Sequence, residues 1–149
     1  MRTIATIGYQ AATMPSFLRA LRDAKVDLLV DIRAVASSRR PGFSKTALAA
    51  SLREAGIDYL HLRSLGTPAD GRAAARAGKH EVMREIFLEH METPAAQAEL
   101  ASLAELAASH RVCVLCFEAD PAHCHRSIVV SELARLMPLR VNHLMPEDE

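Results

Sequence analysis

The chain has 149 residues, half of them hydrophobic, with 18 basic and 18 acidic side chains and a formal net charge of zero. That length suits one domain with a sizeable core, and the charge balance gives no global attraction to nucleic acid or to a membrane surface. No apolar run approaches the roughly 18 residues that mark a membrane span, and Met1-Arg2-Thr3-Ile4 leads straight into what reads as a core strand, so a cytoplasmic protein without signal peptide or membrane partner is expected.

Three cysteines, an odd number confined to residues 113–124, fit reduced thiols better than a disulfide framework.

Residues 3–7, β-branched and apolar and closed by Gly8, predict a first strand. Thr13 followed by Pro15 is the start signal of a helix carrying Phe17, Leu18 and Leu21. Residues 27–32 are too uniformly apolar for a strand with one wet face and predict a central, parallel strand. A polar loop, 34–43, holds Arg39 and Arg40; Ser44 then caps a second helix with Leu48 and Leu52 on one face and Gly56 at a left-handed end. Residues 57–62 predict a third strand, nearer an edge because Asp58 and His61 interrupt it.

Residues 63–80 contain Gly66, Pro68, Gly71 and Gly78 among four basic side chains; they read as the least regular stretch, expected to form a lid. Two helices are predicted over 81–91 and 94–109, the second announced by Thr93 before Pro94. Residues 112–117 predict a strand buried on both faces, and Ile128, Val129, Leu133 and Leu136 set the period of the helix that follows. A last strand is predicted over 139–144, and the acidic tail from Pro146 is expected to fray.

This β-α-β-α-β-(α-α)-β-α-β order predicts a three-layer α/β fold: one domain over 1–149 with a doubly wound, mostly parallel sheet of about five strands. Ligands of such sheets bind outside the carboxyl ends of the strands, where turn amides and helix N-termini gather. Applied here, the rule brings Gly8 and Tyr9, Asp31 and Arg33, His61 and Arg63, and residues 118–126 to one rim.

The densest chemistry lies between the strand ending near Phe117 and the helix after it. Cys124, at a helix start beside Arg126 and His125, has the surroundings that lower a thiol pKa, so it reads either as a nucleophile or as a small packing residue. Arg33, Arg39 and Arg126, with Ser127 assisting, form a candidate cage for phosphate, sulfate or carboxylate; internal pairing of Arg33 or Arg126 with Asp31 or Glu118 is the competing reading. Glu118 is the proton-transfer candidate with His125 beside the thiol, and Asp31 and Tyr9 are supporting residues. A metal is not expected from Cys116, His123, Cys124 and His125, because three consecutive residues do not readily turn toward one ion and no second finger-like pair exists. Cys113 and Cys116 read as core residues on opposite faces of their strand. The sequence points to no particular cofactor.

The chain also carries Thr6-Ile7-Gly8, Val30-Asp31-Ile32-Arg33 with Ser38-Arg39 and Pro41-Gly42-Phe43, Gly56-Ile57-Asp58-Tyr59, Leu65-Gly66, and Leu115-Cys116-Phe117-Glu118 leading to Cys124-His125-Arg126. Together these resemble the bacterial family catalogued as domain of unknown function 488. Tyr9-Gln10 stands where that family commonly has His-Ser, and Ala36 where a proline is common, so chemistry needing that histidine is not carried over. The resemblance implies an α/β fold and a shared strand-end site. Sulfurtransferases and cysteine phosphatases look superficially similar, but their loops place five residues between cysteine and arginine, whereas only His125 separates Cys124 from Arg126 here.

The functional expectation is an arginine-lined anion site at the strand ends of an enzyme acting on a phosphorylated or nucleotide-like substrate. The alternative is a non-catalytic module for nucleotide or nucleic acid, using the acid-free basic run 32–53; the scarcity of aromatic residues argues against base stacking.

Overall fold

The computed structural model describes residues 2–146, so the acidic end at 147–149 and the fraying expected there lie outside the described residues. Five strands, β1 (Arg2–Gly8), β2 (Leu28–Asp31), β3 (Asp58–His61), β4 (Val112–Cys116) and β5 (Leu139–Leu144), form one sheet in the order β3-β2-β4-β1-β5. Every pairing is parallel, with Ile7 opposite Leu115 and Leu29 opposite Cys113. The central strands β2 and β4 are buried along their whole length, while β3 and β5 alternate at the edges. Burial on both faces is the physical origin of the unbroken apolar runs.

Helices cover both faces, giving three layers. On one side α1 (Met14–Asp23) and α2 (Lys45–Glu54) pack Phe17, Leu21, Leu48 and Leu52 against Ile7, Leu29 and Leu115. On the other, α3 (Ala69–Arg76), α4 (His80–Met91), α5 (Pro94–Ser109) and α6 (Arg126–Ala134) bury Phe87, Leu100, Leu103 and Val129 against Ile4, Val30 and Val114. No described helix is long and apolar enough to cross a membrane.

The helix starts follow local chemistry. Thr13 and Ser16 form a reciprocal capping box with Pro15 in the first turn, and Thr93 accepts from the Ala96 amide. Ser44 occupies the cap position of α2 but spends its hydroxyl on Ser38, accepting from that residue's amide at 3.0 Å and donating to its carbonyl at 3.2 Å. It thereby fastens the β2–α2 loop. Gly56 has φ +79°, the left-handed turn expected of it.

Three expectations need correction. Residues 63–80 are not an irregular loop: a 3-10 turn, Arg63–Leu65, leads into α3. Its Ala-rich middle outweighs the glycines, and Gly71 lies inside the helix where a Cβ would press on Thr67 and Ile86. Phe117 is not part of the buried strand, which ends at Cys116, and is 41% exposed. Leu136 lies beyond α6 and is 58% exposed.

Crossovers from β1 and β2 run to one face and the crossover from β4 to the other, so a crevice opens where β4 ends between its two neighbours. The β1–α1 and β4–α6 connections are stitched together there, with the Gln10 amide donating to the Phe117 carbonyl at 2.8 Å and the Ala119 amide to Gln10 Oε1 at 3.1 Å. Gly8 lies directly beneath, and a Cβ on it would overlap the Glu118 carbonyl group. Gly8→Ala is therefore expected to cost about 3 kcal/mol, read from the urea midpoint, because the obstructing atoms are backbone rather than a flexible side chain.

Candidate functional site

The crevice is a pocket of about 800 Å³, of a size that holds a small ligand. Its floor comes from the strand ends, with Tyr9 after β1, Arg33 after β2, and Cys116, Phe117 and Glu118 at the end of β4. The β2–α2 loop lines the pocket with Arg39 and Arg40, and α3 with Arg72 and Arg76. His125 closes the back. Five arginines thus border the pocket, against one carboxyl group, Glu118.

Two of the predicted cage arginines are engaged inside the protein. Arg33 binds Asp31 through Nε (2.9 Å to Oδ1) and Nη2 (2.7 Å to Oδ2), and its Nη1 donates to Tyr9 Oη at 3.1 Å and to the Phe43 carbonyl at 2.7 Å. Asp31 also accepts from the Arg33 amide and from Tyr59 Oη at 2.5 Å. Burial alone would favour a neutral guanidine, but the bonds and charge of Asp31, with Tyr9, hold the Arg33 pKa above its ordinary value. Burial and the Asp31 carboxylate likewise raise that of Tyr59. The pairing of Arg33 with Asp31 is the internal salt bridge the sequence offered as the competing reading.

Arg126 is fully buried and forms no ion pair among the described residues. Its Nε donates to Thr6 Oγ1 at 3.1 Å, its Nη1 to the Glu118 carbonyl at 2.5 Å and to Cys116 Sγ at 3.2 Å, and its Nη2 to the Ala119 carbonyl at 3.1 Å. Burial lowers its pKa. Ser127 donates to the Pro121 carbonyl at 2.5 Å, and neither Arg126 nor Ser127 borders the pocket.

The remaining arginines differ. Arg39 and Arg76 are exposed, and among the described residues neither forms an ion pair. Arg40 donates through Nη2 to the Ala12 carbonyl and leaves its buried Nε without a partner among the described residues; Arg72 donates to the Thr67 carbonyl at 2.9 Å.

Cys124 precedes α6, accepts a weak hydrogen bond from the Arg126 amide (3.5 Å), and is 2% exposed. It is joined to Cys116 by a disulfide, which corrects the expectation of three reduced thiols; only Cys113 is free, and burial raises its pKa. The end of β4 and the start of α6 bring the pair together across eight positions, and Cys116 is the member that borders the pocket.

His125 Nε2 donates to the Ile32 carbonyl at 2.8 Å; burial, aided by the Arg126 charge, lowers the imidazole pKa to about 4, so the ring is neutral near pH 7. Burial raises the pKa of Glu118, against the opposing charge of Arg126. His61, expected at the same rim, donates to the Arg33 carbonyl at 2.6 Å and, like Arg63, does not border the pocket.

Sequence reasoning missed Cys116, Arg40, Arg72 and Arg76 as pocket residues. The available signal was the four-residue spacing of Arg72 and Arg76, which puts both on one face if the segment is helical. The metal argument also changes. His123 is not needed, because one sulfur from the strand end joins two donors from the helix start: the ligand atoms of Cys116, Cys124 and His125 lie within 4.8 Å of one another.

Fold and site together define a doubly wound α/β protein with its pocket at the carboxyl ends of a parallel sheet. Residues 13–133 match the family described as Domain of unknown function DUF488, and the chain belongs to that family. No curated protein and no solved structure matches it.

Proposed function

We infer that the pocket binds a small phosphorylated or nucleotide-like substrate and that the protein acts on it as an enzyme. The observation that carries this reading is the charge of the pocket lining: Arg39, Arg40, Arg72 and Arg76 come from two separate elements, outside the Arg33–Asp31 pair, with a single carboxyl group, Glu118, among the lining residues. Such forks suit oxyanions, and two sets of them suit more than one phosphate. Arg33 and Arg126 stiffen the floor and are not needed as anion ligands. Glu118 is the proton-transfer group, with the neutral His125 behind it. Arg72 and Arg76 both belong to α3, within the segment expected from the sequence to form a lid.

The test is calorimetric titration of ADP and pyrophosphate into the full chain and into Arg72→Ala/Arg76→Ala. One-to-one binding that weakens about tenfold in the double variant is expected, the loss of about 1.4 kcal/mol of charge-assisted contact. No binding at millimolar ligand, or equal affinity in the variant, would overturn the reading. Tighter binding of an oligonucleotide, with a salt slope equivalent to many phosphates, would favour the nucleic-acid module instead.

A further inference from the structure

We propose that Cys116, Cys124 and His125, with the two thiols reduced, form a binding site for a borderline-soft divalent metal ion, zinc above all. Three donors of the right kind converge: two sulfurs and an imidazole nitrogen, within 4.8 Å of one another, on residues that are 1, 2 and 8% exposed. Two thiolates with an imidazole and one open position is a donor set that zinc accepts.

The surroundings are those of a metal site rather than of a packing cluster. The His125 Nε2–H is committed to the Ile32 carbonyl, which leaves Nδ1 with its lone pair, and Nδ1 lies 3.8 Å from Cys124 Sγ. A ligating histidine typically has its other nitrogen fixed by a carbonyl in this way. Each sulfur also has an N–H donor of its own, Arg126 Nη1 at 3.2 Å for Cys116 and the Arg126 amide at 3.5 Å for Cys124. Such bonds stabilise thiolate ligands, and the buried guanidinium offsets their negative charge.

The fourth position faces the pocket. Cys116 and His125 both border it, and Glu118 Oε2 lies 3.7 Å from Cys116 Sγ, within reach as a fourth ligand or as a base beside a metal-bound water. This site stands independently of the anion reading.

The disulfide is the metal-free, oxidised form of the same atoms. Its Cα atoms are 7.2 Å apart, beyond the usual disulfide range of about 4.4–6.8 Å and open enough for two thiolates to share an ion. A dithiol reductant supplies two electrons and two protons, itself becoming a disulfide, and yields the two thiols. Metal binding then releases the two thiol protons as the metal–sulfur bonds form.

The experiment is anaerobic titration of the reduced full chain, freed of reductant, with cobalt(II), followed by displacement with zinc. One equivalent should give the sulfur-to-cobalt charge-transfer band and the visible spectrum of a tetrahedral ion. Cys116→Ser, Cys124→Ser and His125→Ala should each weaken binding by more than about a hundredfold, whereas Cys113→Ser should bind as the wild type does. Circular dichroism checks the fold of each variant, and the oxidised wild type, which should bind nothing, gives the same contrast without a mutation. A reduced protein without the charge-transfer band, an oxidised one that binds equally well, or a Cys113→Ser loss as large as that of Cys116→Ser would overturn the proposal.

Discussion

Asp31→Ala is expected to destabilise the protein by about 3–5 kcal/mol, the cost of leaving a buried charge without its partner. Asp31 has no exposed surface and accepts from the Arg33 amide, Nε and Nη2 and from the Tyr59 hydroxyl. Its removal strands a guanidinium that is itself 6% exposed and whose other nitrogen holds Tyr9 and the Phe43 carbonyl. The damage therefore spreads to the stacked Tyr9–Phe43 pair, whose ring centroids are 4.6 Å apart. Asp31→Asn keeps the shape but loses the charge and should cost less, about 1.5–3 kcal/mol. Urea unfolding by circular dichroism checks both. A loss under about 1 kcal/mol for Asp31→Ala would show that water reaches Arg33 readily.

Arg126→Met should cost a similar amount, about 3–5 kcal/mol, by a different route. No acid pairs with Arg126 among the described residues; its charge is met by the Glu118 and Ala119 carbonyls, the Thr6 hydroxyl and the Cys116 sulfur. Methionine reaches only as far as the arginine Nε, so the space of the outer guanidinium atoms is left unfilled and the two carbonyls lose their buried donor. Because one side chain ties β1, the end of β4 and the turn after it to α6, the pocket floor should loosen with the fold. Arg126→Lys should recover only part of the loss, since an ammonium group cannot span the same fork. A double variant with Asp31→Ala tests whether the two arginines share a network; they have no partner in common, and near-additive losses are expected.

The fold was legible where burial writes directly into composition. β2 and β4 lie between two helical layers, so their apolar runs are unbroken, while the polar interruptions of β3 mark an edge. Thr13, Pro15 and Thr93 announced their helices because caps depend on neighbours in sequence. α3 was not legible: Pro68, Gly71 and Gly78 resemble breakers, and the reason for Gly71, close packing on Thr67 and Ile86, lies in tertiary contact. The strand-end rule found Tyr9, Arg33, Glu118 and His125 because it needs only strand order and direction. It missed Cys116, which reads as one more residue of a core strand yet is the last one, where the strand opens onto the pocket. It also included His61, whose ring turns to a carbonyl. Which arginines reach inward depends on the path of the flanking loop and helix; the four-residue spacing of Arg72 and Arg76 places them on one helical face but does not say that this face lines the pocket.

The most direct test of an arginine-walled anion pocket is the NMR footprint of ADP on the full chain, observed at backbone amides and arginine Nε–H groups. Saturable shifts at Arg39, Arg40, Arg72, Arg76 and Phe117, absent when adenosine replaces ADP, are expected. Shifts of equal size with adenosine, or a footprint away from the β2–α2 loop and α3, would contradict the assignment of the pocket to an anion.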